Sequence, residues 1–251
     1  MNDKKDILKK ITNKSNKIIV VPIDYGVYKG PIIELESLNE VLPKILKGNI
    51  NGILLHKGLI KDNYQLFKES KIPYFLHISA LTGLGNPINK VLAGSVSEAK
   101  ELGAVGVSML VYLGNDNEGE MLKMLGKVSR EADEQGLLLY VMMYVADYKY
   151  NIFKEDTSLN SVKWAARVGY ELGADIVEVR HPDQPINFND IKKICPIPLL
   201  IADSAKYSEE EYKNLLNDCK KSNIDGISIS KRILDPKNTE KILRDIDKVF
   251  G

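Results

Sequence analysis

Eight short apolar runs recur along the chain, separated by amphipathic stretches with helical spacing, and no other feature restricts the fold as much. The runs fall at 18–23 (IIVVPI), 52–56, 74–78, 105–111, 137–143, 174–179, 198–202 and 226–230. Each has the length of a strand, and most are apolar throughout instead of alternating, which is how a strand covered on both faces reads. The helical stretches fall at about 37–47, 61–70, 95–102, 117–135, 159–172, 187–194, 208–222 and 237–249. Three of them run into a glycine just before the next apolar run, at Gly103, Gly136 and Gly173, and a left-handed cap at Gly103 is expected. A strand–helix unit repeated eight times in 251 residues has the size and rhythm of a (β/α)8 TIM barrel, an α/β fold. A doubly wound sheet usually has fewer strands or a second domain, and no Pro/Gly/Ser-rich linker or charge block divides this chain. The expectation is a single barrel domain over residues 1–251, with a short helix at about 3–12.

In such a barrel the chemistry sits where strands end and their loops begin. Asp24 and Tyr25 follow the first run, and His56 and Lys57 stand at the end of the second. His77 and Ser79 end the third, Tyr112 follows the fourth, and Tyr144 and Asp147 follow the fifth. Glu178, Arg180 and His181 end the sixth, Asp203 and Ser204 the seventh, and Ser230, Lys231 and Arg232 the eighth. All three histidines of the chain belong to this set. Polar residues resume at any strand end, but this concentration of acids, bases and cations on one rim is the composition of an active site.

Charge and cysteine content exclude other classes. With 35 basic against 34 acidic side chains the net charge is +1, which argues against nucleic acid as the main partner. Cys195 and Cys219 lack CxxC spacing, so neither a disulfide scaffold nor a cysteine zinc site is expected, and two thiols fit a reducing cytoplasm. The N-terminal stretch has no apolar signal-peptide region, and no apolar run approaches the roughly 18–20 residues that span a bilayer. A cytoplasmic protein without a membrane partner is expected.

Several segments resemble one family. The stretch 21–27 (VPIDYGV) followed by Gly30 and Pro31 is similar to the first-strand motif of the DeoC/FbaB-type class I aldolases. LLHKGL (54–59), LHISALT (76–82), VLAGSVSEA (91–99), VMMY (141–144) and AARVGYELGADIV (165–177) resemble its later motifs. The resemblance covers nearly the whole chain and is nearest the archaeal fructose-bisphosphate aldolase and heptulosonate-synthase branch. It implies a TIM barrel, an assembly of several copies (rings and decamers among them) and aldol-type carbon–carbon chemistry on a small polar oxo compound, sugar-like and with or without a phosphate. It further implies Asp24 as proton acceptor and Tyr144 as proton donor. The family's Schiff-base lysine corresponds to Glu178, and a carboxylate cannot form an imine. The Gly-Gly and Gly-Arg pairs that hold phosphate in the family read here Asp203-Ser204 and Ser230-Lys231. Lys231 and Arg232 can still meet a phosphate, whereas Asp203 repels one.

Three readings remain open at this level. In one, the imine-forming lysine has moved, with Lys57 and Lys231 as candidates. In the second, Glu178 joins Asp24 and Tyr144 in acid–base catalysis without an imine, as a lyase or isomerase. Arg180, His181, Lys231 and Arg232 then orient substrate anions, beside His56, Lys57, His77, Asp203, Ser204 and Ser230. His56, His77, His181, Glu178, Asp24 and Asp203 are also ligand types for zinc or manganese, but their spacing carries no metal signature, and no metal or other cofactor is expected. In the third reading the barrel binds a ligand or partners an active paralogue.

Overall fold

Each apolar run forms a strand in the computed structural model, which describes residues 2–150, 152–182, 188–204, 207–229 and 231–251. The strands are β1 (Ile18–Ile23), β2 (Gly52–Leu55), β3 (Tyr74–His77) and β4 (Gly106–Leu113), then β5 (Leu138–Lys149), β6 (Ile176–Arg180), β7 (Leu199–Ala202) and β8 (Gly226–Ser228). They pair in parallel in the order β4-β3-β2-β1-β8-β7-β6-β5, and β5 returns to β4, so the sheet closes into a barrel with helices between strands. Every residue of β1, β2, β3, β4 and β7 is buried. That burial explains the unbroken apolar runs: one face of each strand fills the barrel and the other meets the helical layer. Two strand starts need glycine because a neighbouring backbone passes close. A Cβ on Gly226 would lie 1.8 Å from the Ile18 carbonyl oxygen, and one on Gly106 would lie 2.3 Å from that of Leu138.

Most expected helices are present, including Leu38–Leu46, Glu118–Gln135, Leu159–Glu171, Glu209–Lys221 and Thr239–Phe250. Gly103 adopts φ 76°, the left-handed geometry its sequence position implies. The stretch at 61–70 is instead two helices, Lys57–Asp62 and Tyr64–Ser70, interrupted at Asn63, whose side-chain amide donates to the Leu59 carbonyl. The stretch at 187–194 holds only the short helix Asn189–Lys192, and residue 187 lies outside the described residues. A helix at Asn2–Lys10 is fastened to the barrel by Lys4, whose ammonium donates to Asp133 at 2.6 Å and Asp175 at 2.8 Å. Trp164 is 70% exposed, so it does not pack in the core.

Three small elements at the strand ends are not evident from the apolar pattern. Tyr25–Lys29 forms a helical turn directly after β1. Ser79–Ala80 pairs antiparallel with Val91–Leu92, folding residues 81–90 back on the barrel mouth. β5 runs on to Lys149 because Ile152–Glu155 pairs antiparallel with its end, Ala146 opposite Glu155. Among the described residues no helix is long and apolar enough to cross a membrane.

Candidate active site

At the C-terminal ends of the strands lies a cavity of about 350 Å³, and its chemistry follows from the two-residue period of β5 and β6. Glu178 and Arg180 project to the same side of β6, and both line the cavity. Met142 is the register partner of Glu178 on β5, so Tyr140 and Tyr144 stand two residues to either side of it on the same face. Both phenols therefore reach the buried carboxylate: the Tyr140 hydroxyl donates to one oxygen of Glu178 and the Tyr144 hydroxyl to the other. Burial pushes the Glu178 carboxyl above its ordinary range, against the pull of these two donors. Burial likewise raises both phenols, so they stay protonated at neutral pH. The Arg180 guanidinium stacks over the Tyr144 ring at 3.9 Å from its centroid. Its Nε and Nη2 donate to Glu155 at 3.1 and 2.9 Å, so the hairpin after β5 fixes the arginine above the phenol.

The facing wall comes from β1, β2 and β3. Asp24 lies 3.7 Å from His77 Nε2, and the ring of His56 meets His77 edge-on at 5.1 Å between centroids. His77 also lies within hydrogen-bond distance of the Ser108 hydroxyl through Nδ1 (2.9 Å) and of the Ser79 hydroxyl through Nε2 (3.2 Å), while Ser79 accepts the Leu110 amide. Burial lowers the His77 pKa to about 3, outweighing the attraction of Asp24, and burial lowers His56 as well. At neutral pH both imidazoles are uncharged, so the contact between Asp24 and His77 is polar and not an ion pair. Lys90, in the turn leading into the ribbon strand Val91–Leu92, completes this wall.

Of the residues singled out from the sequence, the fold brings Asp24, His56, His77, Tyr144, Glu178, Arg180, Asp203, Ser204 and Lys231 to the cavity. Four do not line it, among them Asp147, whose carboxylate lies 3.1 Å from the Lys149 ammonium. Lys57 turns outward from the first residue of its helix and pairs with Glu98 at 2.9 Å, its side chain 46% exposed. His181 follows the end of β6 and packs beside Phe188 and Tyr207, 3.2 Å from Asp218. Arg232 is consumed internally: Nε donates to Asp203 at 3.0 Å, Nη2 to the Tyr207 carbonyl at 2.9 Å, and the guanidinium rests on the Tyr212 ring. Lys57, His181 and Arg232, expected to contact substrate, thus stand outside the lining of this cavity. Lys231 does line the cavity but pairs with Glu34 at 2.8 Å. Ser230 lies outside the described residues. Among the described residues no group of three or more His, Cys, Asp or Glu side chains is arranged to hold a metal ion.

Sequence reasoning passed over Tyr140, Glu155, Lys90 and Tyr28. Tyr140 was detectable, since it shares the inward face of β5 with Tyr144. Glu155 and Lys90 sit on short elements that depend on pairing with distant chain, which no local periodicity records.

Comparison with known proteins places this geometry. Residues 18–234 match the family model described as DeoC/LacD family aldolase. The chain is 29% identical over 232 residues to 2-amino-3,7-dideoxy-D-threo-hept-6-ulosonate synthase 1 of Archaeoglobus fulgidus, covering 92% of this chain and 85% of that one. It is 25% identical to the class 1 fructose-bisphosphate aldolase of Thermoproteus tenax, covering 96% and 93%. A crystal structure of an archaeal fructose 1,6-bisphosphate aldolase superimposes with a TM-score of 0.85 at 25% identity, over 99% of both chains.

Proposed function

The chain belongs to the DeoC/LacD aldolase family, and from that premise we propose that its cavity makes or breaks a carbon–carbon bond beside the carbonyl of a small, sugar-like oxo compound. The observation that carries this reading is the carboxyl of Glu178, buried and gripped by two phenols at the wall of an otherwise open cavity. Aldol chemistry needs a proton placed on, or taken from, an oxygen or carbon next to the carbonyl as charge develops there. Tyr144 supplies that proton, with Glu178 as its reserve. The phenol donates to Glu178, so when it hands a proton to substrate it turns to accept the proton of the neutral carboxyl. Burial lets Glu178 hold its proton to higher pH than an ordinary carboxyl, which favours this reserve.

Asp24 acts as the opposing base, and Arg180, fixed above Tyr144 by Glu155, faces the developing oxyanion. Position 178 is where the family resemblance puts the imine-forming lysine, and a glutamate there excludes an imine at that residue. Where the substrate carries a phosphate, Lys231 meets it once Glu34 yields, because Arg232 is neutralised by Asp203. The exposed indole of Trp164 supports self-assembly into a homo-oligomer, which sedimentation velocity tests.

The experiment is a retro-aldol and aldol screen over C3 to C7 oxo compounds, with and without phosphate, on the full chain and on two variants. Tyr144→Phe and Asp24→Asn are expected to lower the turnover found by about 100-fold or more. Turnover unchanged in both variants overturns the assignment.

A further inference from the structure

The wall formed by Glu178, Tyr144 and Arg180 is internally satisfied, whereas the facing wall holds a cation that touches no carboxylate among the described residues. Asp24 finds no positive partner in His77 or His56, since burial keeps both imidazoles neutral. The charge facing it is the ammonium of Lys90, which lies 5.9 Å from the centroid of the Tyr28 ring. Among the described residues no Asp or Glu oxygen lies within ion-pair distance of Lys90. The other lysines of the cavity are placed differently. Lys231 is held by Glu34 at 2.8 Å, and Lys29 lies on the exposed turn after β1 with its ammonium 4.7 Å from the Tyr28 ring.

The backbone fixes where Lys90 stands. Its amide donates to the Ile88 carbonyl at 3.0 Å, Ile88 is buried, and the next residue, Val91, pairs with Ala80 across the ribbon. The Ala93 amide donates to the Ile78 carbonyl at 2.7 Å, which anchors the returning strand on the end of β3. The lysine is thus set on the barrel mouth by a paired element and not by a free loop.

We propose that Lys90 is the amine of this site, attacking the carbonyl carbon of an oxo substrate in the cavity and carrying it as an imine opposite Tyr144 and Glu178. This deepens the proposed function and rests on it. The lone pair of the neutral amine forms the N–C bond, and the carbonyl oxygen takes a proton to give a carbinolamine. A second proton releases that oxygen as water and leaves the protonated imine. The electrons of the scissile carbon–carbon bond then flow into the imine to give an enamine. The hydroxyl proton of the departing carbon passes to a base, and that carbon leaves as an aldehyde. Protonation of the enamine and addition of water return the amine and the second carbonyl product. No oxidant or reductant is needed.

Desolvation supports this role by bringing the Lys90 pKa down to about 8 against the pull of Asp24. At pH 7 the neutral fraction of such an amine is about 300 times that of a lysine at the reference value.

Formaldehyde with cyanoborohydride tests the amine without knowledge of the substrate, because methylation passes through an imine and the probe enters any open cavity. On the full chain at pH 7, with peptide mass mapping over time, Lys90 is expected to react at least tenfold faster than the exposed Lys123 and Lys193. Labelling at Lys90 no faster than at those two overturns the proposal. The catalytic step is tested by Lys90→Arg, with Lys57→Arg as control, in the retro-aldol screen. A loss of about a thousandfold in K90R, with K57R unchanged, is the expected result. Activity in K90R within threefold of the parent overturns the imine and leaves the proposed function standing. A fast Lys90 in a protein that turns over none of the oxo compounds overturns the proposed function and leaves the reactive amine.

Discussion

His77 offers a quantitative test of the electrostatics on the wall that carries Asp24 and Lys90. The side chain is almost wholly buried and its pKa falls from 6.5 to about 3. Between those values the unfolded chain binds a proton that the folded chain refuses. Stability therefore rises with pH across this window and is lost as pH drops below 6.5. At pH 4.5 the penalty is at most about 2.7 kcal/mol, the free energy of two pH units of linkage. Local rearrangement around the ring lowers this, and about 1–2 kcal/mol is the expected size. The assay is urea unfolding of the parent and His77→Gln at pH 7.0, 5.5 and 4.5. The advantage of the parent over the variant should shrink by that amount on acidification, while His56 titrates in both. Were His77 a cation paired to Asp24 at 3.7 Å, its folded pKa would be raised and the parent's advantage would grow on acidification from above neutral pH. A constant or growing difference refutes the neutral assignment, and with it the argument that Lys90 supplies the charge facing Asp24.

Three further outcomes follow from the packing. Glu178 has a raised carboxyl pKa, so the folded state holds its proton longer than the unfolded state and stability falls as pH rises through the folded value. Glu178→Gln should therefore gain melting temperature relative to the parent as pH rises out of the ordinary carboxyl range; a constant difference denies the shift. Arg232→Met leaves the fully buried Asp203 carboxylate without its guanidinium and should cost about 3–5 kcal/mol in urea unfolding. A loss under 1 kcal/mol would mean that Asp203 does not depend on that partner. Gly226→Ala forces a Cβ onto the Ile18 carbonyl where β8 meets β1, and a loss of about 3 kcal/mol or more is expected by the same assay.

The barrel was legible because burial on both faces imprints itself locally: a strand such as Ile18–Ile23 has no polar face to interrupt its run. The rim was legible for a related reason. Barrel chemistry sits at strand ends, so Asp24, His56, His77, Tyr144 and Glu178 were identifiable from where their runs stop. Direction was not legible. Lys57 and His181 stand at strand ends as His56 and Arg180 do, but one begins a helix and the other follows a strand's last residue, and both side chains leave the cavity. Nor did the sequence reveal that Arg232 spends its charge on Asp203, because that pairing joins the loops of two strands. Lys90 escaped notice because it is placed by an antiparallel ribbon of two residues a side, too short to leave a period.

The relay between Glu178 and Tyr144 makes one demand that a tyrosine acting alone does not. The phenol's own proton is engaged with Glu178, so delivery to substrate requires the carboxyl to replace it in the same motion. A glutamine at 178 preserves an acceptor for the phenol but has no acidic proton to return. Glu178→Gln should therefore lower turnover by an amount similar to Tyr144→Phe, on the order of 100-fold or more. Residues that act as one unit are not additive, so the double variant should be scarcely worse than either single one. Multiplied losses, with each single variant folded by circular dichroism, would mean that the two groups act on separate protons and that the relay is wrong. The pH dependence separates the cases again. A relay fed by the neutral carboxyl fails as pH rises through the raised Glu178 pKa, whereas a phenol donating directly keeps its proton well beyond that point, because burial raises Tyr144 too.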